Sequence, residues 1–494
     1  VSIVPVQPRP QRGLRLRFGY VTQIHDLTAG EQAAAIRDRV LSPTEILDHC
    51  LERIDRLGPQ VGAFFTVAAD LAREQARKAE RMVADAGEPG ELPPLLGVPV
   101  PVKDLNMAAG MRLTFGSAVF ADNVADTDDH VVASLRAAGA VIPGKTATPE
   151  FGLPCYTETE VGPPARTPWD LSRSAGGSSG GAGAAVAAGL APVAQGSDGG
   201  GSIRIPSSVC GLFGIKPSRG RVSQAPLVPD LAGLSIDGPL ARSVADAALL
   251  LDVISGNEPG DMYVQPPLPP GETFLGYATR DPGKLRIGRV IDPVVPGAQV
   301  HPDCRAAWED ASALLADLGH EVEDVPPPFG ADVVPLFETL WYGMATLMPV
   351  DAVREGELLP LTRYLRERGR ATSAPDLIFA QARLQNIVRG ALPSMNAYDA
   401  VLTPTLAQPP VPVGYFHDQV PAENFERQKH FTPFAATYNV SGQPAVNLPL
   451  YWNGDGLPIG VMLGGRVGEE STLISLSAQI EAARPWKDRH PALW

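Results

Sequence analysis

From residue 28 the apolar positions recur at helical spacing. Ile36, Val40, Ile46, Leu47, Leu51 and Ile54 line one side of a run that ends near residue 57, the pattern of a helix with one buried stripe. Thr28 stands where the N-cap belongs. Ser42-Pro43 splits the run, with Ser42 capping the second half because proline fits the first helical turn. A second helix is expected over 66–86, where alternating Arg, Glu and Lys mark a solvated face, and Pro93 and Pro94 close the region. The apolar run at 96–102 then reads as a strand ending on Lys103. Further helices are expected at 129–138, 243–254 (opened by Ser243) and 303–320, and strands at 140–142, 284–291 and 321–325. Residues 326–396 read as mostly helical, with Trp341, Tyr342, Met344, Met348, Phe379 and Leu384 mainly as core. A strand follows in YDAVLTP. This alternation is an α/β pattern. No repeat or linker divides it, so residues 25–494 read as a single domain.

One stretch obeys neither period. GGSSGG at 176–181 and GSDGGGS at 196–202 enclose the small apolar run AGAAVAAGLAPVA. The run reads as a close-packed helix ending near Gly189, followed by a buried strand over 192–195. Gly/Ser clusters are often flexible linkers. A linker, however, would not enclose thirteen small and apolar residues, nor run straight into SIRIPSSVCGLFGIKP, which looks like buried structure. Glycines beside a serine let the backbone approach a substrate closely. The consecutive N–H groups of Gly199, Gly200, Gly201 and Ser202 can converge on a developing negative charge.

The segment GGSSGGAGAAVAAGLAPVAQGSDGGGSIRIPSSVCGLFGIKPSRGRVS resembles the signature of the amidase signature family nearly end to end, and the similarity extends over roughly residues 25 to 490. The resemblance implies a mixed, mostly parallel central sheet covered by helices on both faces. It also implies a serine hydrolase with Ser202 as nucleophile, Ser178 as a bridging serine after a cis peptide bond, and Lys103 as the final base. Lysine among Val98, Val100 and Val102 can be desolvated, which lowers the ammonium pKa toward neutrality. Gly199 to Ser202 would form the oxyanion hole. Ser179, Asp198 and Arg204 would support the site, the last two as an ion pair shaping the loop. The stretch TPEFGLPCY is similar to the family's pocket segment, so Gly152, Leu153 and Tyr156 are expected to line the substrate site, and 326–396 to be its variable helical part. The family usually carries threonine or isoleucine after the aspartate, where this chain has glycine. That Gly-rich version, with SGQPA near the end, looks similar to the branch that cleaves cyclic nylon dimers, anilides and aryl carbamates. The implied activity is hydrolysis of amide C–N bonds through an acyl-enzyme, with carbamates and esters as further substrates. An amidase subunit of a tRNA-dependent amidotransferase and an inactive binding module are the alternatives on the same framework.

Composition narrows the partners. The net charge of −14 disfavours nucleic acid and anionic membrane, and no run of eighteen apolar residues suggests a span. Four scattered cysteines read as reduced thiols of a cytoplasmic protein. Eight histidines without metal-ligand spacing give no reason to expect a metal, and no cofactor is expected. The partners expected are a small-molecule substrate and a possible second copy of the chain. Residues 1–24, with four arginines by position 20, read as a disordered basic tail. One motif competes. Gly139-Ala-Val-Ile-Pro-Gly144-Lys145-Thr146 matches the phosphate loop of nucleotide hydrolases. Yet a helix precedes it and Thr148-Pro149 follows, where the loop's own helix should start.

Overall fold

The computed structural model describes residues 14–16, 19–21, 23–87, 92–226, 232–417 and 420–494. Its first helices form where the apolar spacing expects them, at Ala29–Arg37 and Pro43–Val61. The Thr28 side chain accepts from the Glu31 amide while Glu31 reaches back, and Ser42 and Glu45 do the same. Each such box satisfies amide donors that the helix cannot, worth about 1 kcal/mol per cap. The next helix is Ala69–Asp85.

The strands in chain order are β1 (Leu14–Leu16), β2 (Gly19–Val21), β3 (Phe64–Val67), β4 (Val102–Lys103), β5 (Gly144–Thr146), β6 (Val193–Asp198), β7 (Phe213–Lys216), β8 (Ile236–Ala241), β9 (Arg286–Arg289), β10 (Glu321–Asp324), β11 (Ala400–Pro404), β12 (Ala445–Trp452) and β13 (Pro458–Gly465). β1 and β2 form an antiparallel ribbon. The rest of the basic segment that reads as a disordered tail lies outside the described residues, apart from its last two positions. The large sheet has eight strands in the order β10-β9-β11-β13-β12-β7-β8-β6. It is mixed, as expected, but not mostly parallel. Only β10–β9 and β9–β11 run parallel; the other pairings are antiparallel. A short turn explains part of this. Asn453-Gly-Asp-Gly456 joins β12 to β13, and a connection that tight permits only antiparallel neighbours.

Helices cover both faces, and the alternation of side chains along the strands shows it. Val193, Ala241, Val446 and Val461 join one core with the helices Val244–Ile254, Pro302–Asp317 and Glu470–Ala483. Their neighbours Ala194 and Leu240 point the other way, onto the helices Gly180–Ala187 and Arg204–Cys210. Ala445 and Met462 meet the helices Val333–Ala345 and Ala374–Met395 on that same side. The stretch 326–396 is mostly helical, with Trp341, Tyr342 and Leu384 in its core. Phe379 is not core; it is 66% exposed on the first turns of its helix.

The small sheet, β3-β5-β4, carries the base toward the site. The strand expected over 96–102 shrinks to Val102–Lys103 plus a single bridge from Pro99 to Val141, because Pro99 and Pro101 have no N–H to donate. The strand expected at 140–142 falls at Gly144–Thr146 instead. The small apolar run is the helix Gly180–Ala187, buried at every position. A Cβ at Gly181 would lie 2.2 Å from the Ala147 amide nitrogen, so the glycines let this helix press directly onto the small sheet. Among the described residues no helix is long and apolar enough to cross a membrane.

Candidate active site

β4, the N-terminus of the helix Gly180–Ala187 and the end of β6 meet at Lys103. Its side chain is wholly buried. The backbone is tied to β6: Lys103 N donates to Gln195 Oε1 at 2.8 Å, and Gln195 N donates to Pro101 O at 3.1 Å. Gln195 is itself held by Asp237 Oδ1 at 2.6 Å and Asn106 Oδ1 at 3.0 Å. Lys103 Nζ donates to Ser178 Oγ at 2.8 Å, Ser197 Oγ at 3.0 Å and Ser197 O at 3.3 Å. Burial pushes the ammonium down to about 7, against a smaller upward pull from Asp237 and Asp198. Near neutral pH this lysine is therefore able to exchange a proton with Ser178.

Ser178 follows a cis peptide bond to Gly177, as the resemblance implies. Ser179 fixes this corner. Its Oγ donates to Ser197 O and accepts from Ser197 N, both at 3.2 Å, while its amide donates to Ser202 O at 3.2 Å. Ser178 and Ser202 are thus held on adjoining strands of backbone, both nearly closed off from solvent.

The loop from Asp198 to Arg204 is braced from below. Arg204 Nε and Nη2 donate to the two Asp198 oxygens at 2.9 and 2.8 Å, and both side chains are fully buried. Burial alone would raise the Asp198 pKa, but the Arg204 charge prevails and holds the carboxyl well below its usual range. Asp198 also accepts from the Gly201 amide at 2.8 Å and the Ile203 amide at 3.1 Å. The Gly201 N–H is therefore committed. Of the four expected oxyanion donors, Gly199, Gly200 and Ser202 keep amides without an acceptor among the described residues. Asn439, absent from the sequence expectations, completes the brace: its Nδ2 donates to Asp198 O and Oδ1 at 2.9 Å, and its Oδ1 accepts from Arg204 at 2.7 Å. Its only sequence signal is an amide side chain inside the otherwise apolar run around Tyr438. Gln195 gives the same weak signal within β6.

Ser202 opens into a cavity of ≈ 110 Å³ lined by Leu153, Phe329, Phe337, Trp341, Phe425 and other mainly apolar side chains. At its edge Lys429 is neutralised by Glu338 and Glu426. Leu153 lies where it was expected. Gly152 sits beside the bridging serine: a Cβ there would be 3.5 Å from Ser178 Oγ. Tyr156 does not reach the cavity. It is buried in the core behind, stacked on Phe416 at 4.7 Å, with its hydroxyl accepting from Asn424 at 3.0 Å. The phosphate-loop motif is also absorbed by structure. Lys145 lies in β5 with no exposure, paired with the buried Asp104 at 3.4 Å and donating to Asn106 O. Only the three-residue 3-10 helix Glu150–Gly152 follows it, not the longer helix that a phosphate loop opens, so neither the ammonium nor the backbone is offered to a phosphate. The four cysteines are unpaired and buried.

A family model described as Amidase matches residues 45–474. The putative amidase AmiB2 of Mycobacterium tuberculosis is 40% identical over 478 residues, covering 94% of this chain and 98% of that protein. An acylamidase of Rhodococcus erythropolis is 35% identical over 476 residues, covering 95% and 98%. Among solved structures, a 6-aminohexanoate cyclic dimer hydrolase superposes with a TM-score of 0.87 at 32% identity, covering 95% of this chain and 99% of that one.

Proposed function

The chain belongs to the amidase signature family and is an amide-hydrolysing enzyme; from that premise we propose that Ser202, Ser178 and Lys103 carry the reaction as nucleophile, relay and base. Neutral Lys103 takes the Ser178 hydroxyl proton while Ser178 takes that of Ser202. Ser202 Oγ adds to the amide carbon. The carbonyl oxygen gains its negative charge against the amides of Gly199, Gly200 and Ser202, each such donor being worth about 3 kcal/mol. As the C–N bond breaks, Ser178 gives a proton to the departing nitrogen and recovers one from Lys103. Water then gives up a proton along the same path, attacks the acyl group and releases Ser202. This is triad logic without histidine or aspartate.

The observation that carries the mechanism is the 2.8 Å contact between Ser178 Oγ and a fully buried Lys103 whose ammonium is pushed down to about 7. A base matched to neutral pH is what a poor nucleophile such as serine needs. The apolar cavity favours neutral, small synthetic amides, anilides among them. Carbamates and esters are further substrates, since acyl transfer needs only a carbonyl and a leaving group that can be protonated. The names of the relatives, acylamidase and cyclic dimer hydrolase, point the same way. The test is a panel of 4-nitroanilides, 4-nitrophenyl carbamates and 4-nitrophenyl esters given to the purified chain and to Ser202→Ala. Turnover by the lone chain, lost in the variant, is expected. Equal rates in both would refute the assignment. An inactive lone chain that gains activity only with partner subunits would favour the amidotransferase reading.

A further inference from the structure

Three consecutive glycines before Ser202 call for a reason other than backbone geometry at two of them. Gly201 adopts φ +132, a conformation that disfavours a side chain, whereas Gly199 and Gly200 do not lie in that region. What they provide is space. A Cβ on Gly199 would lie 3.5 Å from Trp341 Cη2 and Cζ3, and 3.0 Å from Ser235 Oγ. A Cβ on Gly200 would lie 3.6 Å from Phe337 Cζ and 3.7 Å from Trp341 Cη2. Alanine would just touch the rings. A branched side chain such as threonine would drive its outer atoms into them.

The two rings stack on each other, with centroids 5.4 Å apart at 22°. Both come from the helix Val333–Ala345, Trp341 being buried in the helical core. An aromatic wall therefore rests on the loop whose Gly199 and Gly200 amides are free to receive an oxyanion. Both rings also line the cavity over Ser202. The three groups on the reacting carbon have different destinations. The oxygen belongs at the loop amides. The leaving nitrogen belongs at Ser178, beside Gly152. The remaining substituent is the acyl side, and the surface left for it is the cavity over Ser202, whose lining includes Gly200, Phe337 and Trp341 but not Ser178.

Building on the hydrolase reading above, we propose that Phe337 and Trp341 form the acyl-binding wall, that they select a neutral, flat acyl group, and that Gly199 and Gly200 are glycine to admit them. Ring-on-ring contact adds to apolar burial for such a group. A charged acyl chain would lose its hydration against this surface.

The experiment measures kcat/KM for two series. One varies the acyl group (acetyl, benzoyl, phenylacetyl) on a constant 4-nitroaniline. The other varies the amine on a constant benzoyl group. Wild-type turnover of any member secures the underlying hydrolase reading independently; without it, that reading fails before the wall is tested. In Trp341→Ala the benzoyl-to-acetyl ratio should fall about tenfold or more, and Trp341→Phe should restore most of it. Phe337→Ala, at a less buried position, should lower the same ratio and serves if Trp341→Ala does not fold. An unchanged acyl ratio in active variants would overturn the proposal. So would a change confined to the amine series, because the wall would then hold the leaving group.

Discussion

Replacing Lys103 with methionine should abolish turnover and stabilise the fold near neutral pH. Lys103 is fully buried, and burial moves its ammonium from 10.5 down to about 7. Below about pH 7 the folded chain holds a charge out of water that the unfolded chain holds in water, at a cost of about 5 kcal/mol. The methionine removes that cost. It also removes three hydrogen bonds, to Ser178 Oγ, Ser197 Oγ and Ser197 O, each worth about 1 kcal/mol. Burial is the larger effect, so the variant should be more stable by about 2 kcal/mol near pH 6. The sign of the pH dependence is fixed. Between about 7 and 10.5 the unfolded wild-type chain binds a proton that the folded chain does not, so wild-type stability rises with pH by about 1.4 kcal/mol per unit. The variant lacks this slope. Its advantage should therefore shrink as the pH rises from 7 to 9 and reverse within that range. Lys216, also pushed down to about 7 by burial, is present in both chains and drops out of the difference. Urea unfolding of both proteins at four pH values measures it. A stability difference that stays constant across the range would refute the depressed lysine and with it the proposed base.

Three other outcomes follow from the geometry. The pH profile of kcat/KM should have an acid limb with its midpoint near pH 7, set by Lys103, and falling about tenfold per unit below it; steady-state rates at saturating buffer check this. Asp198→Asn should cost about 3–5 kcal/mol in unfolding experiments and most of the activity, because it leaves Arg204 charged and unpaired among buried groups. Tyr156→Phe should lose only about 1 kcal/mol by thermal unfolding, with kcat and KM unchanged, since its hydroxyl serves Asn424 and not the substrate.

Helix starts were the most legible part of the fold, because Thr28, Ser42 and Ser243 act through neighbours three residues away. The residues that meet at the candidate site were legible for a different reason. Ser178, Ser202 and Lys103 sit in motifs whose glycines and apolar flanks are themselves needed for close packing. Strand bounds near Pro99 and Pro101 were less legible, since a proline alters which amides are available without changing the apolar pattern. Tyr156 shows the limit of motif reading: its neighbour Leu153 faces the cavity, but a buried hydrogen bond to Asn424, far along the chain, turns Tyr156 into the core. Asn439 and Gln195 act through partners distant in sequence, so no local period announces them. Nor does composition say which loop amides stay free; that depends on Asp198 capturing Gly201.

The most direct test of Ser202 as a nucleophile driven by Lys103 is intact-mass spectrometry after treatment with an aryl fluorophosphonate, followed by peptide mapping. One adduct on Ser202 is predicted, forming faster as pH rises through about 7 and at least a hundredfold more slowly in Lys103→Met. An adduct on another residue, or labelling of Ser202 at the same rate without Lys103, would contradict the account.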